Sequence, residues 1–194
     1  MVEEIECWYN LNIKKCLRKT GKGLKGQYAT ELHKLINSIP DGRVIDLGCG
    51  SGKMSKFFKD YTGVDLPKTV KNIGKVMSPK VNFIECDLIK DDISFIGEYD
   101  IVFMDAFIDV MSDPLRILSR VLLNSNNYVL LIRQEIGKET KITRNPSYGG
   151  WTYHSVIGMN DLYKVLEVCG FRIVQVTNNC IAENWNNFIL QKDE

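Results

Sequence analysis

Val44-Ile45-Asp46-Leu47-Gly48-Cys49-Gly50-Ser51-Gly52-Lys53-Met54 reads VIDLGCGSGKM. An apolar run ends in an acid, glycine then takes every second position, and a lysine follows. Such a loop suits a nucleoside triphosphate, a dinucleotide, or a nucleoside carrying no phosphate. A triphosphate loop needs G-x-x-x-x-G-K-[ST]. Counting back from Gly52-Lys53 puts Leu47 at the first glycine and Met54 at the magnesium hydroxyl, so two fixed positions fail. A dinucleotide fingerprint needs G-x-G-x-x-G. Gly48 and Gly50 fit it, but Lys53 stands at the third glycine, which has arrived one residue early at Gly52. The Tyr and Lys four apart of short-chain oxidoreductases are also missing, since none of the eight tyrosines has that lysine.

Outward from the loop, strands and helices alternate. RVIDL (43–47), YTGVDL (61–66), VNFIEC (81–86), YDIVFMD (99–105) and NYVLLIR (127–133) read as strands. Most are near-continuous apolar runs, as expected of parallel strands covered on both faces. Helices are expected over 27–39 (ending before Pro40-Asp41-Gly42), over 52–60, after Pro67, and over 160–169 with Asn160 as cap and Gly170 as stop. FRIVQVTN (171–178) and WNNFILQK (185–192) are separated by only six residues. That is too short for a parallel crossover, so the last strand runs antiparallel. The expected fold is α/β: a Rossmann-like doubly wound sheet of seven strands, mostly parallel, with helices on both faces.

The chain has 194 residues and suits a single domain over 1–194. Within it we expect an N-terminal helical lid (1–40), a cofactor-binding half (43–133), an acceptor-side insertion (134–158) and a C-terminal helix with a strand pair (159–192). The first of these includes a helix over 3–18. Trp8, Tyr9 and Tyr28 would close over a ligand about hinges at Gly21, Gly23 and Gly26, unless the segment is a static cover of the sheet edge. With 25 basic and 24 acidic residues the formal charge is +1, so no general drive toward nucleic acid or an anionic membrane exists. Six cysteines without a CxxC pair, and only two histidines, give no support for a metal site. Reduced thiols, an acidic start (MVEEIECWYN) and apolar runs too short for a membrane span lead to the expectation of a cytoplasmic protein.

D-x-G-x-G-x-G after the first strand, with this strand order, resembles the main motif of class I S-adenosylmethionine-dependent methyltransferases, over about residues 27–192. The resemblance implies S-adenosyl-L-methionine as cofactor. It implies that Gly48, Cys49, Gly50 and Gly52 bring backbone against the nucleoside, and that Asp65 and Leu66 meet the ribose. Asp87 would bond the adenine amino group and Leu88 pack on the ring, while Asp46 orients the methionine end. Asp105 would line the methyl-transfer crevice, and Tyr28 would cover the cofactor. On the residues alone other roles stay open. The glycines also suit a tight turn, Asp65 a cap for the helix at Pro67, Asp87 a solvated turn, and Asp105 another cap. Cys49 and Cys86 also suit plain packing.

The acceptor is less legible. Enzymes that methylate adenine or glutamine nitrogens resemble one another in [NDS]-P-P-[YFW] after strand four, where this chain has DAFI. Asn145-Pro146-Ser147-Tyr148 imitates that motif after strand five and reads as a loop turn. The stretch WTYHSV…NDLYKVLEVCGF resembles small-molecule methyltransferases. It implies an aromatic wall of Trp151, Tyr153 and His154, although Tyr153 and His154 equally suit packing of the loop on the sheet. If the acceptor must lose a proton, His154 is the first candidate base and Asp105 the second. The expected partner is a small-molecule acceptor. The alternatives are an RNA or protein acceptor, for which Lys22, Lys25, Lys138, Lys141 and Arg144 would form a basic rim, or a non-catalytic cofactor-binding protein. Nucleic acid is disfavoured, and the oligomeric state is left open.

Overall fold

The computed structural model describes residues 26–147, 150–180, 182 and 184–194. The expected helix over 3–18, the lid residues Trp8 and Tyr9, the hinges Gly21 and Gly23, and Lys22 and Lys25 lie outside the described residues.

The apolar runs form the strands β1 (Arg43–Leu47), β2 (Asp60–Asp65), β3 (Asn82–Glu85), β4 (Ile101–Asp105) and β5 (Tyr128–Gly137). They lie side by side in the order β3-β2-β1-β4-β5, and every neighbour is parallel. Two further strands, β6 (Lys141–Ser147) and β7 (Gly150–Gly158), precede the C-terminal pair β8 (Phe171–Asn178) and β9 (Trp185–Lys192). The last strand runs antiparallel to both β5 and β8, as the six-residue connection requires.

Side chains alternate between two cores because strand residues alternate faces. On β4, Ile101 and Phe103 enter one cluster, while Val102 and Met104 enter the other. β5 does the same with Leu130 and Ile132 against Val129 and Leu131. Helix α1 (Gln27–Ile36) covers the first face with Tyr28, Leu32, Leu35 and Ile36. The helix spanning residues 67–77 is α2, and its middle turn, Val70–Gly74, is π. Helices α3 (Pro114–Asn124) and α4 (Met159–Cys169) cover the second face with Ile117, Leu118, Val121, Leu162 and Leu166. Each such side chain, fully buried, contributes about 1.5–3 kcal/mol. Pro114 at the first turn and Asp113, whose carboxylate accepts from the Arg116 N–H at 3.2 Å, fix where α3 begins.

Four expectations are corrected. Instead of seven strands the described residues form nine, because Lys141–Ser147 and Gly150–Gly158 pair as two more, from Lys141↔Val156 to Ser147↔Gly150, while β5 continues past Arg133. The mixture of Thr, Arg, Asn and Ser in that pair hides the period of two. Asn145-Pro146-Ser147 is therefore strand rather than loop turn, and Tyr148 lies outside the described residues. After the glycines a short 3-10 turn, Lys53–Phe57, replaces the longer helix, since the chain is extended again at Phe58. Asn160 lies inside α4, which is preceded by Gly158 at the N-cap, while Gly170 (φ 69°) stops it as expected. Among the described residues no helix is long and apolar enough to cross a membrane.

Candidate active site

The carboxyl ends of β1, β2 and β4 and the turn after β3 meet along one edge of the sheet, where an open α/β sheet leaves a crevice. The glycine loop follows β1. The Gly48 and Cys49 N–H groups both donate to the Val64 carbonyl, at 2.9 and 3.1 Å, which ties the loop to β2. Gly48, Gly50 and Gly52 all have positive φ, at 73°, 55° and 69°. Side chains meet different fates along this loop. A Cβ on Gly48 would stand 2.3 Å from the Phe107 ring, whereas one on Gly50 would meet nothing within 4 Å. Gly48 is thus glycine for packing, and Gly50 opens on space that a ligand's flat face fits. Gly48→Ala is expected to destabilise by about 2–4 kcal/mol in urea denaturation, from left-handed strain plus overpacking. Gly50→Ala should cost only about 1 kcal/mol.

Two compartments share Gly48, Asp65, Ala106 and Val110. One, of about 690 Å³, is lined by Leu66, Cys86, Asp87, Leu88 and Phe107 among others. Asp65 sits where the two join. Its Oδ2 accepts from the Gly50 N–H at 2.8 Å and its Oδ1 from the Leu66 N–H at 2.7 Å. A carboxylate has about four acceptor positions, so capacity for further donors remains. Burial raises the Asp65 pKa, while those two N–H groups and Thr69 act against the rise. The resemblance's ribose role and the alternative role near the helix start are therefore compatible: Asp65 serves the loop, Leu66 and Thr69 together. Asp87 is buried, and its Oδ1 accepts from the Ile89 N–H at 3.1 Å. That bond holds the turn that presents Leu88 and Ile89 to the compartment.

The other compartment, of about 1090 Å³, is lined by Asp46, Gly50, Lys53, Asp105, Asp109, Arg133 and Trp185 among others. Asp46 is buried, and its Oδ2 accepts from the Tyr61 hydroxyl at 2.5 Å. Burial pushes the Asp46 carboxyl well above the usual carboxylate range despite that bond. At the end of β4, Asp105 Oδ1 accepts from Arg133 Nε at 2.5 Å and from the Tyr28 hydroxyl at 3.0 Å. The guanidinium lies 5.6 Å from the Tyr28 ring centroid, within cation–π range. Burial opposes the Arg133 charge, but Asp105 outweighs it and holds the guanidinium protonated. Burial, reinforced by Asp105, likewise keeps the Tyr28 phenol protonated.

Two non-glycine residues beside this ion pair have left-handed backbones, Ala106 at φ 51° and Arg133 at φ 56°. Each such residue costs of order 1–3 kcal/mol and persists only where its surroundings hold it. The Ala106 N–H donates to the Ile132 carbonyl, and the Arg133 N–H donates to Asn187 Oδ1, both at 3.0 Å. The β5–β9 register shifts at the same place, between Leu131 and Gln134. This irregularity lies inside β5 and re-aims Arg133 toward Asp105, as bulges do near sites.

The glycines, Cys49, Asp46, Asp65, Leu66, Asp87, Leu88 and Asp105 thus meet at one cleft. Tyr28 joins through its hydroxyl on Asp105. His154 lies on β7, with Nε2 3.0 Å from Glu135 Oε2, and the indole N–H of cleft-lining Trp185 donates to that same oxygen at 3.3 Å. Trp151, expected in an aromatic wall, is 53% exposed with the Arg144 guanidinium 5.8 Å above its ring. Lys53, Asp109, Arg133 and Trp185 are among the lining residues that the sequence did not single out. Lys53 follows the third glycine directly, which was a usable signal. Burial lowers its pKa, with Asp105 acting against the drop. Arg133 ended an apolar strand, and nothing local marked its partner 28 residues away.

The family described as methionine biosynthesis protein MetW matches residues 29–154. This chain belongs to that family. The match runs from α1 through the glycine loop and cleft to His154 on β7, so it contains most of the site. An uncharacterized protein of Methanocaldococcus jannaschii is 24% identical over 165 residues, covering 80% of this chain and 77% of that one. Among solved structures, magnesium protoporphyrin IX methyltransferase (ChlM) from Synechocystis PCC 6803 with S-adenosylhomocysteine bound superposes with a TM-score of 0.67. It is 16% identical and covers 97% of this chain and 99% of its own. The amino pentose methyltransferase CalS10 from Micromonospora echinaspora, with S-adenosylmethionine bound, gives a TM-score of 0.62 at 12% identity, covering 87% and 92%. At these identities the likeness is one of fold: this MetW-family chain has the Rossmann-like fold of class I S-adenosylmethionine-dependent methyltransferases. The ligands those neighbours hold support S-adenosylmethionine as the cofactor, and the open face at Gly50 beside the Asp65 carboxylate fits a nucleoside there.

Proposed function

We propose that the chain transfers a methyl group from S-adenosyl-L-methionine to a small-molecule acceptor. The observation that carries this reading is the Gly50–Asp65 corner, where backbone without a side chain faces a buried carboxylate at the mouth of a deep cleft. The printed names of the neighbours add support, since ChlM and CalS10 act on a porphyrin and an amino pentose, both small molecules. The family description, which names methionine biosynthesis, points to small metabolites as well.

When bound, S-adenosylmethionine supplies a methyl group made electrophilic by its sulfonium sulfur. The chain's own residues would do the rest. Asp65 would accept from ribose hydroxyls while its N–H partners keep it in place. Asp87 and Leu88 would receive the adenine. Lys53 and the fixed Arg133 guanidinium would face a carboxylate at the methionine end, with Asp46 beside them. Aligning acceptor and methyl group is the main catalytic contribution such a site makes, and alignment alone is worth several kcal/mol. Asp105 and His154 are the sequence-derived candidates for holding an acceptor proton. Each already has a protein partner, Arg133 and Glu135 respectively.

The test is to incubate the protein with methyl-labelled S-adenosylmethionine and fractionated metabolite, RNA and protein extracts. Label is expected in the small-molecule fraction. Label confined to RNA or protein overturns the acceptor class, and no label anywhere, despite cofactor binding, leaves a binding protein without transfer.

A further inference from the structure

Four carboxylates among the described residues line this compartment, and in three of them other residues donate to the side chain. Asp46 receives the Tyr61 hydroxyl, Asp65 two backbone N–H groups, and Asp105 both Arg133 and Tyr28. Asp109 differs. It sits in the 3-10 turn Ile108–Val110 after β4, is only 7% exposed, and its Oδ1 has no hydrogen-bond partner among the described residues. A buried carboxylate oxygen without a donor costs free energy comparable to a lost charged hydrogen bond, so its persistence needs a reason.

We propose that Asp109 forms an acceptor subsite for a protonated amine. An ammonium group supplies both the missing donors and the opposite charge, which a hydroxyl does not. Trp185 lines the same compartment, and an aromatic residue within reach favours a cation. Of the two cations on the lining, Arg133 is bound to Asp105, and Lys53 is the one that would face the cofactor's carboxylate. The subsite rests on the methyl-transfer reading, and it narrows the acceptor to molecules carrying an amino group, used here as a handle for positioning. The charged groups acting on Asp109 are Arg133 on β5, Asp105 at the end of β4 and His154 on β7. Burial, the largest influence, pushes the Asp109 carboxyl up to about 6, with Arg133 opposing and Asp105 reinforcing. The amine should therefore bind the ionised form and be released as the carboxyl protonates.

The test titrates n-propylammonium and, separately, 1-propanol into isotopically labelled protein, followed by NMR, both free and saturated with S-adenosylhomocysteine. We expect saturable shifts at Ile108–Val110 and at the Trp185 indole with the amine, at least tenfold tighter than with the alcohol. In the free protein binding should weaken about tenfold from about pH 7 to about pH 5, the loss of ionised carboxylate across that span. Asp109→Asn should abolish it while S-adenosylhomocysteine still binds. The variant is isosteric and removes a buried charge. It should melt higher than the parent near pH 7, with the gap closing toward pH 4, because a raised carboxyl pKa destabilises the native state only once ionised. No saturable shift in either form overturns the subsite, as does equal amine affinity in Asp109→Asn. A tenfold or larger loss of S-adenosylhomocysteine affinity in Asp109→Asn also overturns it, assigning the oxygen to the cofactor's own amine. Failure of S-adenosylhomocysteine to bind the parent protein defeats the methyl-donor reading, while the amine titration of free protein still reads the subsite separately.

Discussion

Arg133→Met is expected to lower the unfolding free energy by about 3–5 kcal/mol, the usual cost of removing one partner from a buried ion pair. Asp105 would be left only 6% exposed at its side chain, with the Tyr28 hydroxyl as remaining donor. For a chain of this size the melting temperature should fall by about 10 °C. Backbone strain does not confuse the comparison, because methionine and arginine suffer the same penalty at φ 56°. Adding Asp105→Asn to Arg133→Met should recover a large part of the loss, since no uncompensated charge then remains. A double-mutant cycle read by urea denaturation measures this. If Arg133→Met proves nearly neutral, the pair does not organise the cleft floor as described.

The second large effect concerns ligand affinity. Asp65→Asn should weaken S-adenosylhomocysteine binding by about 10- to 100-fold, the loss of a charge-assisted hydrogen bond at about 1.5–3 kcal/mol. Stability should fall by about 1–3 kcal/mol, because the asparagine oxygen keeps one of the two N–H donors while the amide nitrogen, itself a donor, leaves the other unpaired. Calorimetry on the variant, with a melting curve beside it, separates lost recognition from lost fold. Unchanged affinity would remove Asp65 from the site.

Sequence pattern carried the frame of this molecule because the frame is periodic. Glycine at every second position after RVIDL, unbroken apolar runs and a six-residue final connection each have a local cause, and β1 to β5, β8 and β9 follow from them. The pair β6–β7 did not follow. Its residues mix polar and apolar types without a clear period of two, and pairing such as Thr143↔His154 depends on the chain's return rather than on composition. The same distinction runs through the site. Asp65 and Asp87 could be read from their places at strand ends. Arg133 could not, because its meaning lies in Asp105 on the neighbouring strand and in a left-handed backbone held by Asn187. Asp109 carried no signal in the sequence, and only its burial with an unpartnered Oδ1 among the described residues sets it apart.

The cleft beside Gly50 and Asp65 is the place where the adenosyl cofactor should bind. Isothermal titration of S-adenosylhomocysteine into the full chain tests this most directly. One-to-one saturable binding with a dissociation constant of about 1–100 μM is predicted, corresponding to about 5–8 kcal/mol of binding free energy. The absence of saturable heat up to about 1 mM would contradict it.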